Sequence, residues 1–308
     1  MKILSFGSLN LDKVYSVAHF VRPGETLSAD ALHEFCGGKG LNQSIALARA
    51  GVDVFHAGCV GAADGGMLLD ALHAASVDTT FVHQLPCSTG HAIIQVDPSG
   101  QNCILLFGGA NHQVSTQQID ETLEAFGAGD ILVLQNEISN LDYLIRKAHR
   151  KELVIVLNPS PMTEAIRSLP LELVSYFLLN ELEARELCGT DAEEAQFPAM
   201  LLKKYPGSHI LLTLGSRGCI YQDQQGMIIH PAYRVNAVDT TAAGDTFTGY
   251  FIAAIASGAS VSEALSLASS AAAISVSRSG ASASIPTMDE VLHFAQAAQK
   301  KTVSSSIS

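Results

Sequence analysis

Basic residues are scarce in this chain. Across 308 residues there are 18 Lys and Arg against 30 Asp and Glu, a net charge of −12. No Lys/Arg cluster forms a stripe, which excludes nucleic acid as a partner. An anionic substrate must be held by local amides, a metal or a few lysines, because the overall field opposes it. Charged residues make up only 16% of the chain and hydrophobic ones 47%, which excludes disorder and fits a compact soluble protein. The six cysteines, Cys36, Cys59, Cys87, Cys103, Cys188 and Cys219, never fall at C-x-x-C spacing. They read as small buried thiols in a reducing compartment. The histidines stand at no metal-ligand spacing, which argues against zinc. No apolar run is long enough to span a bilayer, and no signal peptide leads into Ile3-Leu4-Ser5-Phe6-Gly7. The expected location is the cytoplasm, with no membrane partner.

The stretch that organises the rest is Val238-Asp239-Thr240-Thr241-Ala242-Ala243-Gly244-Asp245-Thr246-Phe247. Small residues lead into an acidic one, and an apolar run ending near Gly258 follows, as in a buried helix. Small residues let a backbone approach a ligand closely. A helix N-terminus offers unpaired N–H groups at the positive end of its dipole, a ready anion site. A phosphate there would repel Asp245 unless that carboxylate takes a proton from an attacking hydroxyl. From these residues alone Asp245 can equally be a helix cap with packing alanines beside it.

Along the chain, Lys2 to Phe6 reads as a short buried strand. Asn10 and Asp12 follow at spacing two, which puts both on one side of an extended segment, able to bind neighbouring hydroxyls. Gly37-Gly38-Lys39-Gly40-Leu41-Asn42-Gln43 opens an alanine-rich helix. Its spacing is neither the Walker pattern nor the dinucleotide fingerprint. His91 to Asp97 and Cys103 to Phe107 form a hairpin signal around Pro98-Ser99-Gly100-Gln101-Asn102. With 14–18 and 27–35 this predicts a small sheet apart from the main body. Strands and helices then alternate: strands at 131–134, 154–157, 177–179 and 210–214, helices at 141–150, 181–187 and 192–204. That alternation predicts a parallel sheet covered by helices, with ligands beyond the carboxyl ends of the strands. Polar groups recur at those ends: Asn10 and Asp12, Gln135-Asn136-Glu137, Asn158, Asn180 and Glu183, and Thr213 to Gly218. Their recurrence at equivalent positions points to one cleft. A hairpin is expected at 219–230, a small-residue helix at 261–277, and a last helix at 289–300.

In their order and spacing these motifs resemble the ribokinase-like, PfkB-type family of carbohydrate and nucleoside kinases. The resemblance runs from about residue 3 to 299 and rests on 7–12, Pro23-Gly24-Glu25-Thr26, 37–43, Gly109-Ala110-Asn111, Asn158-Pro159-Ser160-Pro161, Asn180-Glu181-Leu182-Glu183, 213–218, 239–247 and Arg278-Ser279-Gly280-Ala281. It implies an α/β three-layer sandwich over 1–300 with a mostly parallel central sheet. It also implies a small β lid from about 14–35 and 91–107, a flexible tail at 301–308, and a homodimer through the lid. Asp245 resembles the family's catalytic base, and Ala242, Ala243, Gly244 and Asp245 its anion hole. Asn10, Asp12, Gly38, Lys39, Gly40, Asn42 and Glu137 match its sugar-binding positions. Asn180, Thr213, Leu214, Gly215, Ser216, Arg217, Gly218 and Gly244 match its nucleotide-binding positions. Asp239, Thr241, Ser275, Arg278, Gly280 and Ser284 match a monovalent-cation site, several of them through backbone oxygens. Glu183 lies where the family organises Mg²⁺ and phosphate. One departure is Ala63, where the family often has Asp; Asp64 stands beside it.

The implied reaction is transfer of the γ-phosphoryl group of ATP to the primary hydroxyl of a sugar, with Mg²⁺ and with K⁺ as activator. A carboxylate at Asp12 selects a polyol and repels a phosphate. Arg22 is the one clear cation of the lid segments. Both features favour an unphosphorylated sugar, D-ribose first. The rival readings are a kinase for another sugar or a nucleoside, a sugar-binding regulator without turnover, and a dinucleotide-dependent oxidoreductase.

Overall fold

A strand of consecutive apolar residues buries both faces and therefore needs a covering layer on each side. Ile3–Phe6 (β1) is buried throughout. In the computed structural model of the chain, which describes residues 1–305 and the side chains of 1–298, β1 lies inside a nine-stranded sheet. Five elements follow it: β2 (Asn10–Ser16), β3 (Ala31–Gly37), α1 (Lys39–Arg49), β4 (Val54–Gly61) and α2 (Gly66–Ala74). Next come β5 (Asp78–Leu85), β6 (Gly90–Val96), β7 (Asn102–Phe107), α3 (Thr116–Leu123), β8 (Ile131–Gln135), α4 (Leu141–Arg150) and β9 (Val154–Asn158). The second half holds β10 (Tyr176–Asn180), α5 (Glu181–Cys188), α6 (Phe197–Lys204), β11 (His209–Thr213), β12 (Cys219–Gln222) and β13 (Met227–His230). It closes with α7 (Ala243–Ala256), α8 (Val261–Val276) and α9 (Met288–Ser305).

The main sheet runs β13-β12-β11-β10-β9-β8-β1-β4-β5. Its strands pair in parallel except β12, which runs antiparallel to both β11 and β13. Residues of β1 alternate between two cores. Ile3 packs with side chains of α1, α2, α7 and α8, and Leu4 and Phe6 with those of α3 to α6. The helix-covered parallel sheet that the alternating pattern predicts is what forms, in the three-layer sandwich that the resemblance implies. Helix α4 shows why its bounds were readable: Leu141, Leu144, Ile145 and Ala148 make one buried face at helical spacing.

A second sheet runs β3-β2-β6-β7. Strands β2 and β6 pair in parallel, while β3 and β7 pair antiparallel at the edges. The segment 27–35 forms a strand only from Ala31, and the predicted helix at 192–204 is a short 3₁₀ turn at Glu194–Gln196 followed by α6. Strand β5 and helix α3 lie where the sequence pattern gave no signal. The cysteines are not all buried: Cys87 and Cys103 are exposed, because both sit on the thin second sheet and its connection. Helix α9 extends past Lys300 to Ser305, so it overlaps the expected tail, and residues 306–308 lie outside the described residues. Among the described residues no helix is long and apolar enough to cross a membrane.

Candidate active site

The carboxyl ends of the parallel strands carry amides in register. Gln135 pairs with Asn158, and Asn180 with Thr213. Asn180 caps α5 and Glu183 closes the box. The Asn180 side chain accepts from the Glu183 N–H at 2.9 Å, and Glu183 accepts from the Asn180 N–H at 3.0 Å. Opposite this row stands the start of α7. Ala242 has φ 59, a left-handed backbone that usually calls for glycine and is tolerated where surroundings fix it. The opening N–H groups of a helix have no carbonyl partners within it. Among the described residues, none is supplied from elsewhere to Gly244 or Asp245. Those amides face a cavity of about 210 Å³ lined by Lys39, Asn180, Glu183, Thr213, Gly244 and Asp245.

Asp245 is 7% exposed. Its two oxygens accept from Asn42 Nδ2 at 3.0 Å and Gln43 Nε2 at 2.9 Å. Lys39 faces three carboxylates. Burial works against its charge, but Asp245, Glu137 and Glu183 together outweigh it and raise its pKa. The Glu137 carboxylate accepts from the Ser8 hydroxyl and from the Lys39 N–H. Burial, opposed in part by Ser8 and Lys39, holds its pKa above the usual range. Burial does the same at Glu183. Asp12 is pushed up to about 6, first by burial and then by Glu137 nearby.

Of the predicted sugar-binding residues Lys39 and Asp245 line the cavity, while Asn10, Asp12, Gly38, Gly40, Asn42 and Glu137 do not. Asn10 and Asp12 approach it through the chain Asp12, Glu137, Lys39. Asn10 is 7% exposed, and its Oδ1 accepts from Asn111 Nδ2 at 2.7 Å. Gly38, with φ 94, and Gly40 bring α1 against the turn after β1.

Beyond Gly244 the cleft continues into an apolar slot of about 170 Å³, walled by Thr213, Gly215 and Gly218 on one side and Tyr233, Phe247 and Ala272 on others. The predicted Leu214, Ser216 and Arg217 are not in its wall. Leu214 packs on the core, and Arg217 pairs with Glu194 at 2.5 Å and Glu181 at 3.7 Å. Tyr233, Phe247 and the α8 residues Ser269, Ala272, Ala273 and Val276 complete the slot. Sequence inspection did not single them out as site residues. Only the run of small residues in α8 signalled a close approach there.

All the predicted cation residues but the Arg278 side chain come together beside the start of α7. Asp239 accepts from the N–H groups of Thr241 at 2.9 Å and Gly280 at 3.0 Å. Ser275 and Ser284 share a hydrogen bond of 2.8 Å. Arg278 points away, to Glu290 at 2.6 Å. Asp64, beside the atypical Ala63, accepts from the backbone and hydroxyl of Thr89. It holds the crossing into the second sheet and has no place in the cleft.

Residues 1–288 match the pfkB family carbohydrate kinase pattern. The chain belongs to the PfkB carbohydrate kinase family. The ribokinase of Haemophilus influenzae is 35% identical over 94% of this chain and 96% of its own length. Among solved structures, ribokinase from Thermotoga maritima is similar with a TM-score of 0.86 and 32% identity, covering 96% of this chain and 99% of that one. Arabidopsis thaliana ribokinase complexed with ribose and ATP gives a TM-score of 0.84 and 28% identity, covering 96% and 98%. This PfkB kinase is an ATP-dependent sugar phosphotransferase of the ribokinase type. Its strand-end amides and buried carboxylate line one cavity, which shares Thr213 and Gly244 with the apolar slot.

Proposed function

We propose that the chain transfers the γ-phosphoryl group of ATP to the primary hydroxyl of D-ribose, with Asp245 as general base. The observation that carries this is the buried Asp245 carboxylate at the N-terminus of α7, facing Lys39 across the cavity. A carboxylate fixed by two amide donors can accept the hydroxyl proton as the oxygen attacks phosphorus. The main-chain N–H groups of 242–245, at the positive end of the helix, offset the charge gathering on the transferring group. Lys39 adds a cation to a protein of net negative charge.

Asn10, Asp12, Asn42, Glu137 and the backbone at Gly38 and Gly40 hold the sugar. Asp12 and Glu137 accept hydroxyls and disfavour any substrate that already bears a phosphate. The apolar slot fits a flat base, and the glycine turn at 215–218 gives room for ribose and phosphates. The donor set near Glu183 suits Mg²⁺, which supplies charge neutralisation between the phosphates. The loops around Asp239 and Gly280, drawn together behind the anion hole, suit K⁺. The second sheet is the lid, and its edge strand β7 exposes Ile104, Leu105, Leu106 and Phe107. An apolar edge of that kind is suited to pairing with a second copy of the chain.

The bound ribose and ATP of the Arabidopsis relative support the choice of substrates. The deciding measurement is ADP release with ATP and Mg²⁺, with and without K⁺, against ribose, deoxyribose, fructose, tagatose and adenosine. Ribose should give the highest kcat/KM. A higher value for any other acceptor would reassign the substrate. Sugar binding without ADP release would make the chain a regulator.

A further inference from the structure

Behind Asp245 lies a row of uncharged amides. Gln43 is 0% exposed and donates from Nε2 to Asp245 Oδ1 at 2.9 Å. Its Oε1 accepts from Gln135 Nε2 at 2.7 Å. Gln135 is also fully buried and is the last residue of β8. The direction of this row is fixed by chemistry. A carboxylate only accepts, so Gln43 must turn its NH₂ to Asp245 and its oxygen to Gln135.

Room for the row is made by Gly7. A β-carbon there would stand 2.0 Å from Gln135 Oε1 and 2.8 Å from the Gly40 Cα. The Gln135 side chain is thus seated on bare backbone, at the point where α1 also meets the turn after β1. Gln135 Oε1 has no hydrogen-bond partner of its own. A buried amide left half-satisfied is costly. This one serves the remaining bond, which it directs to Gln43.

We propose that Gln43, oriented by Gln135, is a positioning residue for Asp245. Asn42 holds the other carboxylate oxygen and is also among the groups proposed to hold the sugar. Gln43 lies deeper, and its second partner, Gln135, is not among the groups proposed to hold the sugar. It fixes the plane of the carboxylate before substrate arrives. A proton acceptor gains most when its geometry is set in advance. The inference rests on Asp245 being the base.

The test compares kcat and KM of Gln43→Met, Gln135→Met and the double variant, with Asp245→Asn run alongside. Methionine keeps length and bulk and removes the donor. The expected loss for Gln43→Met is about 30-fold in kcat, the scale of a hydrogen bond to a charged group, with KM for sugar and ATP changed by less than about threefold. Gln135→Met should lose about threefold in kcat, and the double variant should be no worse than Gln43→Met, because residues acting as one unit are not additive. Near-normal kcat in Gln43→Met beside an inactive Asp245→Asn would sink the inference and leave the base in place. So would a loss confined to KM, or single effects that multiply in the double variant. An active Asp245→Asn would instead overturn the reading of Asp245. Should Gln43→Met fail to fold, Gln135→Met decides alone, since it leaves Gln43 in place: an unchanged kcat there rejects the row.

Discussion

A β-carbon on Gly249 would stand 2.4 Å from the Ala46 Cβ and 2.8 Å from the Leu47 nitrogen. Helices α7 and α1 therefore touch at glycine distance. Gly249 follows Asp245 by one turn, and Ala46 follows Asn42 by one turn, so each pair lies on one helix face. The contact between the helices and the hydrogen bond at the site are neighbouring rungs of the same packing. Gly249→Ala is expected to cost about 1–3 kcal/mol by overpacking and to lower kcat as well, by moving Asp245 away from Asn42 and Gln43. Denaturant unfolding and steady-state kinetics on the same preparation check both. Lost stability with unchanged kcat would show that this rung does not set the site.

Asp245→Asn keeps the shape of the side chain and removes the proton acceptor. Turnover should fall by about 10²–10⁴, the usual contribution of a positioned base. Sugar binding, followed by calorimetry, should persist, since Asn10, Asp12 and Glu137 lie on other elements. Equal losses in binding and turnover would mean that Asp245 holds the sugar and does no proton transfer.

Beside the start of α7, Asp239 joins two loops through the N–H groups of Thr241 and Gly280. Burial opposes its charge, but hydrogen bonding from the Thr241 side chain and from these two N–H groups outweighs it and holds its pKa below the ordinary value. Asp239→Ala should release the two loops from each other. Turnover with K⁺ should then fall about tenfold, toward the rate without K⁺, as expected for loss of a bound cation's charge. A K⁺ titration of both proteins checks this. An unchanged K⁺ response would place cation activation elsewhere.

Much of this architecture was legible because it follows from periodicity. The buried face of α4 and the hairpin of β12 and β13 have their predicted bounds. The strand-end amides were legible for a related reason: a polar residue closing an apolar run has few structural uses. Other features depend on what lies across the fold. Thr116–Leu123 mixes polar residues into its buried face, including Gln118, which donates to the Gly58 carbonyl, so only Ile119 and Leu123 mark that face as apolar. Tyr233 lies in an irregular connection, and only the fold brings it to the apolar slot. Gln43 and Gln135 look like ordinary polar residues until three elements converge on Asp245.

Asp12 offers a test by pH. Its pKa of about 6 in the fold stands above the model-compound value of 3.8, so the folded state holds this proton more tightly than the unfolded chain. Ionising Asp12 therefore costs stability. That cost grows as pH rises from about 4 to about 6 and is constant above. A sugar that donates hydroxyls to the carboxylate favours the ionised form, so binding should release a proton near pH 6 and strengthen as pH rises through that value. Below it, affinity should fall by up to about tenfold per pH unit, the limit for one linked proton. Lys39 and Glu137 face the same region, so the control is Asp12→Asn, in which this dependence should vanish while overall affinity drops. Calorimetry across pH 5–8, in buffers of different ionisation enthalpy, reads both the affinity and the proton. Binding is the quantity to follow, since turnover also depends on the phosphoryl-transfer step. An affinity flat from pH 5 to 8 in the unmodified protein would remove Asp12 from contact with the sugar.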